Sequence, residues 1–123
     1  MIVEDDEQAS AYMAEALAKQ GYDPIVVNES SRAIKIAEVT LPQAFLLDLV
    51  MPPPDGFKLC RMLREHPDFR LSPILIVSAL NATDSKIVVL GAGANNFLVK
   101  PFRADDLIEK VQDLLEDSFG NPW

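Results

Sequence analysis

Five short apolar runs mark out the chain: Ile2-Val3, Ile25-Val26-Val27, Ala44-Phe45-Leu46-Leu47, Ile74-Leu75-Ile76-Val77 and Phe97-Leu98-Val99. Each is bulky or β-branched, unbroken, and bounded by polar or turn residues. A strand with one face in water alternates apolar and polar residues, whereas an unbroken run is how a strand covered on both faces of a parallel sheet looks. Between the runs the period becomes helical. Residues 7–19 bring Met13, Ala16 and Leu17 to one face. Residues 105–117 do the same with Leu107, Ile108, Val111, Leu114 and Leu115, leaving Asp, Glu, Lys and Gln opposite. Five strand-helix units with right-handed crossovers predict a doubly wound α/β fold: five parallel strands with five helices on the two faces.

The punctuation places the helices near 6–20, 31–39, 55–66, 83–92 and 104–117. Gly21 suits a left-handed cap after the first, Ser30 or Ser31 can cap the second, Asp55 the third and Thr83 the fourth. His66-Pro67 ends the third, because proline disfavours helix at the residue before it. At 123 residues the chain is one domain, and 49% hydrophobic residues exclude intrinsic disorder. The domain is expected over residues 1–119, with 120–123 a tail or the start of a linker. Only three residues precede the first acidic cluster, short for a central strand, which predicts that residues ahead of Met1 are missing from this sequence.

Composition narrows the function. No apolar run approaches the ~18–20 residues of a membrane span. A net charge of −8 repels phosphate backbones and anionic lipid, against direct nucleic-acid or membrane binding. The one cysteine, Cys60, lies in the apolar run 57–62 and reads as a buried reduced thiol, consistent with a cytoplasmic protein. The one histidine excludes multi-His metal sites. It stands at the end of a helical segment and reads as a structural residue, not as a phosphate carrier.

Ligands of open parallel sheets bind at the carboxyl ends of the strands. After the first run come Glu4, Asp5 and Asp6; after the third, Asp48; after the fourth, Ser78; after the fifth, Lys100. Clustered carboxylates raise one another's pKa unless compensated. A hard divalent cation compensates them, and Mg²⁺ favours one or two carboxylates plus waters and a phosphate oxygen. The ammonium of Lys100 and the hydroxyl of Ser78 can meet further phosphoryl oxygens, making a site for a phosphoryl group on an aspartate. Each residue alone has a plainer reading: the acidic triplet as a solvated helix cap, Ser78 as a turn or cap residue. Asp48 ends an apolar strand, where an unpaired carboxylate is costly, so a functional role is the better reading there.

Taken together, Val3-Glu4-Asp5-Asp6-Glu7, Leu47-Asp48-Leu49-Val50-Met51-Pro52, Asp55-Gly56, Val77-Ser78-Ala79, Gly91-Ala92-Gly93-Ala94 and Val99-Lys100-Pro101-Phe102 resemble the receiver domain of bacterial two-component response regulators. The motifs stand in order along essentially the whole chain, and the spacings from Asp5 to Asp48 and from Ser78 to Lys100 are usual for that family. The resemblance implies a flavodoxin-like sheet of order 2-1-3-4-5 and a Mg²⁺-dependent, phosphorylation-activated signalling switch. By position, Asp48 matches the phosphoacceptor, Glu4 and Asp5 the acidic pair at the metal, and the main-chain carbonyl of Val50 a further ligand. Ser78 matches the switch hydroxyl, Lys100 the lysine that contacts the phosphoryl group, and Phe97 the switch aromatic, although Phe97 also reads as core. Ala79 leaves the phosphoryl group room. Expected partners are a histidine kinase or phosphotransfer protein, and an effector or a second copy reading the fourth helix, fifth strand and fifth helix, where the apolar run Ile87-Val88-Val89-Leu90 cannot face the core entirely. A cis Lys100–Pro101 bond is expected, bringing the Lys100 amine within salt-bridge reach of Asp48. Three departures stand out: Pro52-Pro53-Pro54 stiffens the loop after Asp48, Phe97 lacks a tyrosine hydroxyl, and Asn95-Asn96 replace residues that are frequently acidic.

Other classes fit less well. Aspartate-nucleophile phosphohydrolases need a second Asp two residues on, where this chain has Val50, so an enzyme with turnover is not expected. An FMN-binding flavodoxin needs a phosphate loop where Glu4-Asp5-Asp6 would repel phosphate without metal. The remaining alternative is a receiver-like protein-interaction module that is not phosphorylated, marked by loss of Asp48 or Lys100; both are present.

Overall fold

The computed structural model describes residues 1–79 and 91–120. Five strands, β1 (Ile2–Val3), β2 (Val26–Val27), β3 (Phe45–Leu47), β4 (Ile74–Ser78) and β5 (Asn96–Val99), form one parallel sheet in the order β2-β1-β3-β4-β5. Helices α1 (Glu7–Ala18), α2 (Ala33–Thr40), α3 (Gly56–Glu65) and α4 (Ala104–Gly120) are the four among the described residues. The helix expected over 83–92, with Thr83 and the 87–90 run, lies outside them apart from its last two positions.

Side-chain alternation explains why the strands read as unbroken apolar runs. Val3, Phe45, Leu47, Ile74, Ile76 and Phe97 enter one core cluster with Ala33 and Ala37 of α2 and Leu59, Cys60 and Leu63 of α3. Their chain neighbours Ile2, Leu46, Leu75, Val77 and Leu98 enter a second cluster with Met13 and Leu17 of α1 and Leu107, Val111 and Leu114 of α4. The inner strand residues thus alternate between the two helical layers, as a period of two in a doubly covered sheet requires. The two edge strands are less covered: β2 leaves Val26 39% exposed, and the end residues of β5, Asn96 and Val99, are half-buried.

Most of the expected punctuation is found. The Asp55 carboxylate accepts from Lys58 N–H at 2.9 Å and caps α3, and His66 is extended (ψ 129°), ending that helix. Gly21 takes φ +90° just beyond α1. The second helix needs correcting. Ser30–Arg32 form a 3₁₀ turn, α2 starts only at Ala33, and neither serine caps it; the Ser30 hydroxyl is instead donated to the Pro52 carbonyl at 2.9 Å. α2 ends on Leu41 at φ +50°, a left-handed cap on a residue type that rarely adopts one.

The departure at Asn95 has a structural partner. Arg64 of α3 donates to the carbonyls of Gly93 (2.7 Å) and Ser72 (2.7 Å) and to Asn95 Oδ1 (2.9 Å), and the same oxygen accepts from Ile74 N–H at 2.8 Å. One guanidinium thus ties α3 to the entrances of β4 and β5, using the several donors that only arginine offers. Among the described residues, no helix is long and apolar enough to cross a membrane.

Candidate functional site

The carboxyl ends of β1, β3 and β5 converge as their parallel register requires. Val3 pairs with Leu47, so Glu4 and Asp48 emerge side by side, and the Asp48 N–H donates to the Val3 carbonyl at 3.1 Å. Ser78 pairs with Val99, and its carbonyl accepts from Lys100 N–H at 2.9 Å, fixing where the lysine leaves the sheet. The Lys100–Pro101 bond is cis, as expected; a second cis bond, Pro53–Pro54, was not foreseen.

Lys100 Nζ lies 3.4 Å from Asp48 Oδ2 and is hydrogen-bonded to Glu4 Oε1. Glu4 is 1% exposed, a carboxyl in the protein interior. Burial, and then the hydrogen bond and charge of Asp48, push its pKa up to about 7 against the pull of Lys100. For Lys100 burial works downward, but Glu4 and Asp48 together hold its pKa above the usual lysine value. Carboxylate oxygens of Glu4, Asp5 and Asp48 lie within 4.8 Å of one another. Two of these groups sit beside one lysine and a third is exposed, so the cluster carries more negative charge than its cation offsets. The set, oxygens only, fits a hard divalent cation better than a softer metal.

Asp6 stands apart. Its carboxylate accepts from Gln8 N–H (2.9 Å) and Ala9 N–H (3.4 Å), capping α1. Of the acidic triplet, then, one member is the helix cap and two turn to the cluster. The loop after Asp48 wraps back on it, with Val50 N–H donating to Asp48 Oδ1 at 3.3 Å while the Val50 side chain stays exposed. Ser78 ends β4 completely buried; Phe97, 9% exposed, packs in the first core cluster with Val99. An open groove of about 490 Å³, lined in part by Asp6, Tyr12, Ala79, Lys100 and Phe102, runs beside the cluster. Ala79, just after β4, lines it, and the Tyr12 and Phe102 rings form one wall with centroids 6.0 Å apart.

Three contributors have roles at the site that the sequence did not assign. Gly56 lets α3 approach so closely that a Cβ there would lie 2.1 Å from the Asp48 carbonyl oxygen. Asn28 donates to the Glu4 carbonyl at 2.8 Å and Ser30 to that of Pro52. The Asp55-Gly56 pair was a visible signal for the first. Nothing distinguishes Asn28 and Ser30 from ordinary loop polar residues until the fold is known.

The raised Glu4 pKa gives the metal-free protein a pH signature. An acid whose pKa rises from 4.5 to about 7 on folding binds its proton more tightly in the folded state. Its contribution is therefore fully present below pH 4.5 and is lost as pH rises through 7. In a chelator, the urea midpoint is expected to fall between pH 5 and 7.5 by an amount worth about 2 kcal/mol, and Glu4→Gln to flatten that fall. A midpoint difference unchanged by Glu4→Gln would assign the dependence to other groups.

Comparison with known proteins gives what the chain is similar to. Residues 1–112 match the family described as the response regulator receiver domain. Response regulator MprA of Mycobacterium leprae is 31% identical over 115 residues, covering 94% of this chain and 50% of that protein. The alkaline phosphatase synthesis transcriptional regulatory protein PhoP of Bacillus subtilis is 30% identical over 118 residues, covering 96% and 48%. The chain thus spans about half the length of these curated relatives. Among solved structures, a putative response regulator from Chloroflexus aurantiacus superposes with a TM-score of 0.84 at 33% identity, covering 93% of this chain and 94% of the other.

Proposed function

We propose that this chain, which belongs to the response regulator receiver domain family, accepts a phosphoryl group on Asp48 and signals through the change that follows. Phosphorylation-dependent signalling in two-component systems is what the family does; the residues that carry it here are our reading. The observation that supports it is one lysine shared by two carboxylates beside a third: Lys100 between Glu4 and Asp48, with Asp5 within 4.8 Å.

In this reading an Asp48 carboxylate oxygen attacks phosphorus on the donor. The bond from phosphorus to the donor atom breaks, and its electron pair leaves with the donor, a phosphohistidine imidazole or a small acyl phosphate. Lys100 orients the carboxylate and meets phosphoryl charge, and Ser78 offers a hydroxyl once the group is attached. Glu4, Asp5, Asp48 and the Val50 carbonyl would hold Mg²⁺, which supplies charge neutralisation at the phosphoryl oxygens. Val50, two residues after the acceptor, has no acid or base to drive hydrolysis, so the chain serves as a phosphoryl carrier with slow self-hydrolysis at most. Its partners would be a histidine kinase or phosphotransfer protein, approaching over the groove beside Lys100. The output would leave through β5, α4 and the segment 83–92, to an effector or a second copy, with Phe97 responding to Ser78 by packing alone. The receiver unit would run over 1–119, with 120–123 as tail or linker.

Incubation with a small acyl phosphate and Mg²⁺ tests the reading. One phosphoryl group should add by intact mass, and borohydride, which reduces an acyl phosphate to the alcohol, should mark residue 48. No adduct, or a mark on another residue, would overturn the assignment.

A further inference from the structure

We infer that the loop between β2 and α2 acts as a brace for the metal site, with Asn28 and Ser30 as positioning residues that touch no carboxylate. The inference rests on the phosphoacceptor reading above and deepens it. Asn28 Nδ2 donates to the Glu4 carbonyl at 2.8 Å and to Ser10 Oγ at 3.0 Å, joining the end of β1 to the first turn of α1. Two residues on, Ser30 Oγ donates to the Pro52 carbonyl at 2.9 Å. One short loop therefore grips both backbone segments that carry the acidic cluster, the one ahead of Asp5 and the one beyond Val50.

Two features show that these grips are not incidental. The loop after Asp48 contains Pro52, Pro53 and Pro54, which have no N–H to donate, so through that stretch the main chain can be tied only by its carbonyls. Ser30 takes one of them from the first position of the 3₁₀ turn leading into α2, one residue past the Glu29 cap position. Ser30 is 6% exposed, so its hydroxyl is committed to this bond and shielded from competing water. A small cation that demands near-octahedral geometry is sensitive to the relative placement of its ligand-bearing segments, and partners outside the ligand sphere typically alter metal affinity about 10–100-fold when removed.

Calorimetric Mg²⁺ titration of the unphosphorylated chain separates this role from a merely structural one. Ser30→Ala is expected to bind Mg²⁺ about tenfold more weakly, to reach the parent labelling rate when Mg²⁺ is raised to saturation, and to shift its urea midpoint by no more than the loss of one hydrogen bond. Ser30→Thr, which keeps the hydroxyl, should bind Mg²⁺ like the parent. Asn28→Ala should show the same loss, and the Ser30 variants carry the test alone if it fails to fold. Equal Mg²⁺ affinity in Ser30→Ala and parent would overturn the brace and leave the phosphoacceptor reading standing, as would Ser30→Thr weakening as far as Ser30→Ala. A parent that binds no Mg²⁺ would overturn both.

Discussion

Asp48→Asn is expected to abolish the phosphoryl adduct completely while leaving the fold intact. The carboxylate is the nucleophile in the proposed reaction, and an amide can neither attack phosphorus at a useful rate nor form an acyl phosphate. The shape of the site survives, since the amide oxygen can still accept the Val50 N–H that now reaches Asp48 Oδ1 at 3.3 Å. The electrostatics change in a definite direction. Asp48 raises the Glu4 pKa through both its hydrogen bond and its charge, so removing it should let the Glu4 carboxyl ionise at lower pH beside Lys100. The metal-free variant should consequently be more stable than the parent at pH 7.5, by about 1 kcal/mol, as one fewer carboxylate competes for a single ammonium. Intact mass after acyl phosphate treatment and a pair of urea titrations read both effects. A full adduct on Asp48→Asn would place the nucleophile elsewhere, and a variant less stable than the parent would mean that Asp48 contributes more to the Lys100 pair than it costs by repulsion.

Much of this arrangement was legible because it follows from repeating patterns. Five buried runs alternating with helical periods specify a parallel sheet covered on both faces, and the rule that ligands gather at carboxyl ends picks out Glu4, Asp5, Asp6, Asp48, Ser78 and Lys100 without reference to coordinates. What stayed hidden depends on distance in three dimensions. The triplet Glu4-Asp5-Asp6 gives no local sign of which member is buried, which is exposed near the cluster and which caps α1; that is fixed by where β1 stops, by Lys100 arriving from the far end of the chain, and by the first turn of α1 taking Asp6. Ser30 has the chemistry of a helix cap, but the 3₁₀ turn begins one residue earlier than a Ser30 cap requires, and its hydroxyl meets a carbonyl from 22 residues away. Phe97 could be core or switch by sequence, and in this structure its ring is buried in the core. Asn95 looked like a mere loss of acidity until Arg64 was found reaching it from α3.

Gly56→Ala should be strongly damaging, although alanine is ordinarily the better helix residue by about 1 kcal/mol. Gly56 is the first residue of α3, and its N–H donates to the Leu49 carbonyl at 3.1 Å. The reason for glycine here is close approach rather than unusual dihedral angles. An added Cβ would lie 2.1 Å from the Asp48 carbonyl oxygen and 2.7 Å from Leu49 Cα, both main-chain atoms that cannot rotate away as a side chain would. Relief requires either α3 or the end of β3 to move. The first option opens the packing of Leu59, Cys60 and Leu63 against the sheet, all at 0–1% exposure; the second carries Asp48 away from Lys100 and Glu4. A loss of about 3 kcal/mol is expected, at the upper end of what forced overpacking costs, together with acyl phosphate labelling slowed by about tenfold or more, since misplacement of the order of an ångström disrupts catalytic geometry. Gly91→Ala is the matched control, because a Cβ there meets nothing within 4 Å, and it should leave both readouts near the parent. Chemical denaturation and a labelling time course on the two variants decide the matter: a Gly56→Ala protein as stable as Gly91→Ala and labelled at the parent rate would mean that the contact between α3 and the acceptor strand is looser than the structure has it.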